Sequence, residues 1–121
     1  MKTTVLNSWI ERINEHSVEK TLDLYHDSAI LLPTLSCKLR KGKDEIKDYF
    51  EHFLGKEQLT AELKEVYIQS IYKDKIKIDS GTYLFSWLNQ KKEMENLMAR
   101  FTFVVENGLI LEHHSSMQPI G

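Results

Sequence analysis

The sequence predicts an α+β fold: a curved antiparallel sheet with three N-terminal helices covering one face. Three observations carry this expectation. Apolar residues recur at three- and four-residue spacings through the first half of the chain, and at every second position from Leu59 onward. In the second of the long alternating stretches the apolar phase slips, which is what a sharply bent strand would show. Helices first and long strands afterwards place the helices on one face of the sheet.

The first helix follows Thr3 and Thr4, either of which can cap it, and Val5, Leu6, Trp9, Ile10 and Ile13 form its apolar stripe. Ser17 caps a shorter second helix in which Val18, Leu22 and Tyr25 share a face. Ala29 to Pro33 reads as a brief strand ended by proline, followed by an irregular turn through Ser36 and Gly42. Asp44 opens the third helix, with Ile46, Tyr49, Phe50 and Phe53 on one side and Gly55 as its stop. The strands expected next are Thr60 to Tyr72, Lys75 to Asn89, Glu93 to Glu106 and Leu109 to Ser116, with turn signals at Lys73-Asp74 and Asn107-Gly108. Such short connections pair neighbours antiparallel. In the Lys75 to Asn89 stretch, Ile76 and Ile78 occupy even positions but Tyr83, Phe85 and Trp87 odd ones, and Ser80-Gly81 at the slip suggests a β-bulge there.

With 121 residues, the chain has the length of a single domain, 1–121, with one core. Sixteen Lys and Arg against eighteen Asp and Glu give a net charge of -2 without blocks. Nucleic acid is therefore not an expected partner, because counterion release needs a basic stripe. The longest apolar run, Ala29 to Leu32, is far short of the ~20 residues of a bilayer helix, so no membrane partner is expected. Asn7, Ser8 and Trp9 stand where a signal peptide would need an apolar stretch, and Cys37 is the only cysteine. No intramolecular disulfide can form, and a cytoplasmic location is expected. Cys37, in a Ser36-Cys37-Lys38 turn, is either a reactive thiol or, more plainly, a small partly buried residue.

Leu97, Ala99, Phe101, Phe103 and Val105 fill one face of their strand, while Met98 and Val104 share the other with Arg100 and Thr102. One face can pack on the helices. The other needs a second cover, for which a homodimer or higher homo-oligomer is the expected solution.

Several stretches carry a family likeness: 24–34, Ile46-Lys47-Asp48-Tyr49-Phe50, Ser80-Gly81-Thr82-Tyr83, 99–104 and 113–119. Together they resemble the nuclear transport factor 2-like superfamily, of cystatin-like fold. Within it they resemble the branch of the calcium/calmodulin-dependent protein kinase II association domain and bacterial SnoaL-like and SgcJ/EcaC-type proteins. The likeness implies a cone-like curved antiparallel sheet wrapped by the three N-terminal helices around a pocket, with the outer sheet face pairing subunits. The His113-His114-Ser115-Ser116 ending also resembles iota-class carbonic anhydrases, some of which are reported to work without metal. That resemblance implies a catalytic set of Thr34, Tyr49, His113 and Ser115 around bicarbonate. Glu112 stands where many of these relatives carry a third histidine.

His113 and His114, adjacent on a strand, point to opposite faces and cannot ligate one ion together. A zinc site would have to draw on distant positions such as His26 or His52, so no metal and no cofactor are expected. His113 and Ser115 do share a face, and with Tyr49 and Thr34 they offer hydroxyls and an imidazole suited to water or a small oxyanion. The plainer alternative is a polar cluster tying the last strand to a helix. Arg100, inside an apolar run, either reaches solvent or meets an anion. The resemblance favours an inward Arg100, with Glu112 or Asp79 as alternative structural partners. Tyr83, His114 and Ser116 complete the expected ligand-binding set, Tyr83 having a core aromatic as its plainer role.

Two functions remain open on this reading. The first is metal-free CO2 hydration, with His113 as general base and Arg100, Thr34 and Tyr49 stabilising bicarbonate. The second is a non-catalytic oligomerising module that binds a small acid or a peptide tail. Either way the expected partner is a small anionic or carbonyl ligand.

Overall fold

The computed structural model describes residues 4–120. Helix α1 (Val5–Asn14) starts where the Thr4 hydroxyl accepts the backbone N–H of Asn7 at 3.0 Å, and it buries Leu6, Trp9 and Ile13. Ser17 caps α2 (Val18–Leu22) in the same way. Strand β1 (Tyr25–Leu32) is longer than the brief strand expected, because Tyr25 has left the second helix to begin it. The expected irregular turn contains a two-residue strand, β2 (Arg40–Lys41), and α3 (Gly42–Phe53) follows with Ile46, Tyr49, Phe50 and Phe53 buried. Then come β3 (Glu57–Ile71), β4 (Ile76–Leu88), β5 (Met94–Glu106) and β6 (Leu109–Met117).

All six strands form one curved, unclosed sheet in the order β2-β1-β6-β5-β4-β3. The three hairpins are antiparallel as their short turns require, and Asn107 and Gly108 hold φ of 50° and 83°, the left-handed pair a two-residue hairpin needs. β1 and β6 pair in parallel, with Leu31 beside His113. No hairpin joins these two strands, so no turn dictates their direction.

The expected bulge at Ser80-Gly81 is corrected. β4 pairs β5 without a break, and the two register shifts lie in its pairing with β3, between Glu57 and Thr60 and between Leu63 and Glu65, the second at the bend. Leu59, Ala61 and Leu63 face inward before it and Val66 after it, so β3 changes phase while β4 keeps one. Gly81 belongs to this bend from the other side: a Cβ there would lie 1.8 Å from the Glu65 carbonyl oxygen. Ile76 and Ile78 stand on the outer face and Tyr83 and Phe85 on the inner one, so the slip in the sequence marks a change of apolar face.

The inner face of the sheet packs on Trp9, Ile13, Ile46, Phe50 and Phe53 of α1 and α3. Among the described residues no helix is long and apolar enough to cross a membrane. Cys37 is exposed, contrary to the partly buried expectation.

Candidate functional site

Alternation along β6 sends His113 and Ser115 into the core and leaves His114 and Ser116 exposed. A one-way chain of hydrogen bonds runs through the buried pair. Trp9 Nε1 can only donate, and it donates to Tyr25 Oη at 3.0 Å. Tyr25 Oη lies 2.9 Å from His113 Nδ1, and with the tyrosine assigned as donor there the imidazole proton sits on Nε2, 3.1 Å from Tyr83 Oη. Tyr83 donates onward to Ser115 Oγ at 2.5 Å, and Ser115 meets the Thr34 hydroxyl. With His113 assigned the Nε2–H tautomer and Ser115 donating to Thr34, the bonds run one way and polarise one another, and the Thr34 hydroxyl is free to donate.

Thr34, Tyr49, His113 and Ser115 line a single inner cavity with Tyr83. Its volume is about 10 Å³, room for about one water. Burial, with a smaller push from nearby His114, lowers His113 to about 3, so the imidazole is neutral at pH 7 and a weak base. It lies flat on Phe103, ring centroids 3.9 Å apart. Burial also raises Tyr49 and Tyr83 above the ordinary phenol range, keeping both as neutral hydroxyls. Both ring nitrogens of His113, the residue expected as general base, are thus engaged, and burial displaces its titration below 6.5.

The inward Arg100 is corrected as well. Ala99, Phe101 and Phe103 are buried, so alternation turns Arg100 outward, where it is exposed opposite Ser116. Arg100, His114 and Ser116 thus share the outer face with Thr102, away from the cavity. Of the expected ligand-binding residues only Tyr83 lines the cavity. The alternative partners also part: Asp79 is buried on the inner face and Glu112 exposed. Among the described residues no group of three His, Cys, Asp or Glu could hold a metal ion.

The cationic residue nearest the cavity is one the sequence did not single out. Tyr49 and Phe53 also line an outer hollow of about 310 Å³, whose polar wall is Arg40, His52 and Lys56. The Arg40 guanidinium carbon stands 5.8 Å from the Tyr49 ring centre. In the sequence Arg40 sits within Lys38 to Lys43, a basic stretch that reads as a solvated surface, and no local pattern marks it.

A family model described as the calcium/calmodulin dependent protein kinase II association domain matches residues 3–119. The chain belongs to this family. A crystal structure from Xanthomonas campestris, described as such an association domain, is 30% identical, with a TM-score of 0.87 over 97% of this chain and 85% of that one. A nuclear transport factor 2-like superfamily protein of Salmonella enterica is 15% identical, TM-score 0.80, covering 96% of this chain and 87% of its own. A protein of Pseudomonas putida described as a polyketide cyclase is 12% identical, TM-score 0.69, covering 97% and 93%. The last two share the fold. A search of curated proteins gave no match.

Proposed function

We propose that this association-domain chain is an oligomerising module whose inner cavity, with room for about one water when closed, widens to take a small oxyanion, bicarbonate or a small carboxylate, without turning it over. The observation that carries this is the continuous Trp9–Tyr25–His113–Tyr83–Ser115–Thr34 chain, which ends on hydroxyls at the cavity and, with His113 as the Nε2–H tautomer, leaves Thr34 free to donate there. A cavity lined by hydroxyls suits a guest that mainly accepts hydrogen bonds. Nothing in the chain takes up a proton, since His113 is held neutral with both nitrogens engaged. Assembly as a homodimer or higher homo-oligomer is supported by the family name and by the half-buried Ile76, Ile78, Met98 and Val104 on the outer sheet face.

Metal-free CO2 hydration is the second reading, favoured by one observation: Thr34, Tyr49, His113 and Ser115 all line the same cavity. In that reaction Thr34 and Tyr49 would bind the developing bicarbonate, and the proton of water would have to leave through solvent. Stopped-flow CO2 hydration on chelator-treated protein, run beside a bicarbonate titration followed by carbon NMR, separates the two. Binding without hydration above the buffer rate is the expected result. Hydration that survives chelation would replace the binding reading, and neither binding nor hydration would remove both.

A further inference from the structure

We propose that the second half of β3 is an interface between two copies of this chain, which pair edge to edge about a two-fold axis at Gln69. β3 is an outer strand of the sheet, so one of its sides has no neighbouring strand. In its first half that side is closed by side chains. Asn14 Nδ2 donates to the Ala61 carbonyl oxygen at 3.0 Å, Asn14 Oδ1 accepts the Ala61 N–H at 2.7 Å, and His16 Nε2 donates to the Leu59 carbonyl oxygen at 2.6 Å. The register shift between Leu63 and Glu65 then moves the pattern by one residue, so that beyond it Val66, Ile68 and Ser70 turn their N–H and C=O groups away from β4. The other side of β4 agrees. Asn107 donates its N–H to the Lys75 carbonyl oxygen, so the odd-numbered residues of β4, which stand beside these three, bond to β5. Among the described residues nothing outside the strand bonds the outward backbone groups of Ile68 and Ser70.

The uncovered stretch is apolar and matches itself. Val66 to Tyr72 holds no charge, proline or glycine, and Tyr67, Ile68, Ile71 and Tyr72 are 68%, 58%, 49% and 74% exposed. An edge of this composition is a template for another strand. With an identical antiparallel strand centred on Gln69, Ile68 exchanges both backbone bonds with the partner's Ser70, and Ser70 does the same with the partner's Ile68. On the outer face Tyr67 then covers the partner's Ile71, an aromatic and a β-branched side chain in one cross-strand pair. Glu65 comes opposite the partner's Lys73, and among the described residues neither has an ion-pair partner of its own. Sliding the pairing by two residues would instead set Glu65 against the partner's Ile71 and Glu62 against the partner's Asp74, so charge fixes the register. This self-complementarity is what selects a second copy as the occupant. Such a contact is isologous and closes on itself, giving a pair and not a fibre.

The test places a cysteine on the axis. In a Cys37→Ser background, Gln69→Cys sets two thiols opposite each other in a non-hydrogen-bonded pair, where Cα atoms lie about 4.5 Å apart and a disulfide fits. Mild oxidation should convert most of the chain to a linked dimer on a non-reducing gel. Ile68→Cys stands diagonal to its own copy and should link at least about tenfold more slowly. Ile68→Pro removes an outward N–H and no bond to β4, so it should keep the fold by circular dichroism while raising the dissociation constant of the pair at least about tenfold in sedimentation. Glu65→Lys and Lys73→Glu should each weaken the pair severalfold, and mixing the two variants should recover it, because each then faces an opposite charge on the other. No linked dimer with Gln69→Cys, linking at Ile68 as fast as at Gln69, or no recovery on mixing would each overturn the proposal. Should Ile68→Pro fail to fold, the charge variants decide it. The contact uses the edge of the sheet and goes beyond the outer-face assembly read above, so the Gln69→Cys link should form equally in Val104→Glu, and its failure would leave that reading untouched.

Discussion

Tyr25 Oη and His113 Nδ1 lie 2.9 Å apart although 88 residues separate them in the chain. The bond joins the start of β1 to β6 and takes the acceptor nitrogen of an imidazole that has no access to water. Tyr25→Phe leaves that nitrogen buried and unpaired, and also strips Trp9 Nε1 of its acceptor. Equilibrium denaturation should show a loss of about 1–3 kcal/mol. A loss near zero would mean that water reaches the ring.

His113 also makes stability depend on pH. Its folded value, about 3, lies below the ordinary 6.5 of the unfolded chain, so between these limits the unfolded state binds the extra proton. The stabilisation is complete above about pH 6.5 and is lost as pH falls toward 3, by about 1 kcal/mol per unit. Urea midpoints measured from pH 7 to pH 4 should fall accordingly, and His113→Gln should flatten the slope while lowering stability at pH 7.

Thr34, Ser115 and Tyr83 are linked end to end, so single changes should not add. Ser115→Ala alone is expected to abolish most bicarbonate binding, since it cuts the chain before its terminal donor. Combining it with Tyr83→Phe should cost little more in an NMR titration. Fully additive losses would show that the hydroxyls act separately.

Gly81→Ala would drive a methyl group to 1.8 Å from the Glu65 carbonyl oxygen, backbone that the β3 bend holds in place. Thermal or chemical unfolding should show a loss at or beyond the upper end of about 1–3 kcal/mol. An unchanged midpoint would mean that β3 moves freely.

The two faces of β5 should respond differently to charge. Phe103 is fully buried, so Phe103→Glu should prevent folding, as judged by circular dichroism. Val104 faces outward and half-buried, so Val104→Glu should leave the fold intact and shift sedimentation toward monomer. A parent protein that sediments as a compact monomer at high concentration would remove the assembly reading.

What the sequence determined by itself is what the local backbone repeats determine. Helical spacing located α1, α2 and α3, the first two also by their caps, while α3 begins at Gly42 without a side-chain cap rather than at Asp44; the strand period of two separated His113 and Ser115 from His114 and Ser116, because successive side chains must alternate. The phase change in β3, from Leu63 to Val66, was legible too, but the more conspicuous slip in β4 drew the bend to the wrong strand. A period cannot say which face is inside, and Arg100 turned outward because Phe101 and Phe103 had the larger claim on the core. Nor could it show that β1 runs parallel to β6, that this pairing brings Tyr25 to His113, or that α3 carries Tyr49 between the inner cavity and Arg40. Those relationships were decided by the tertiary structure, because they depend on which distant surfaces close together, and that is settled by burial summed over the whole core.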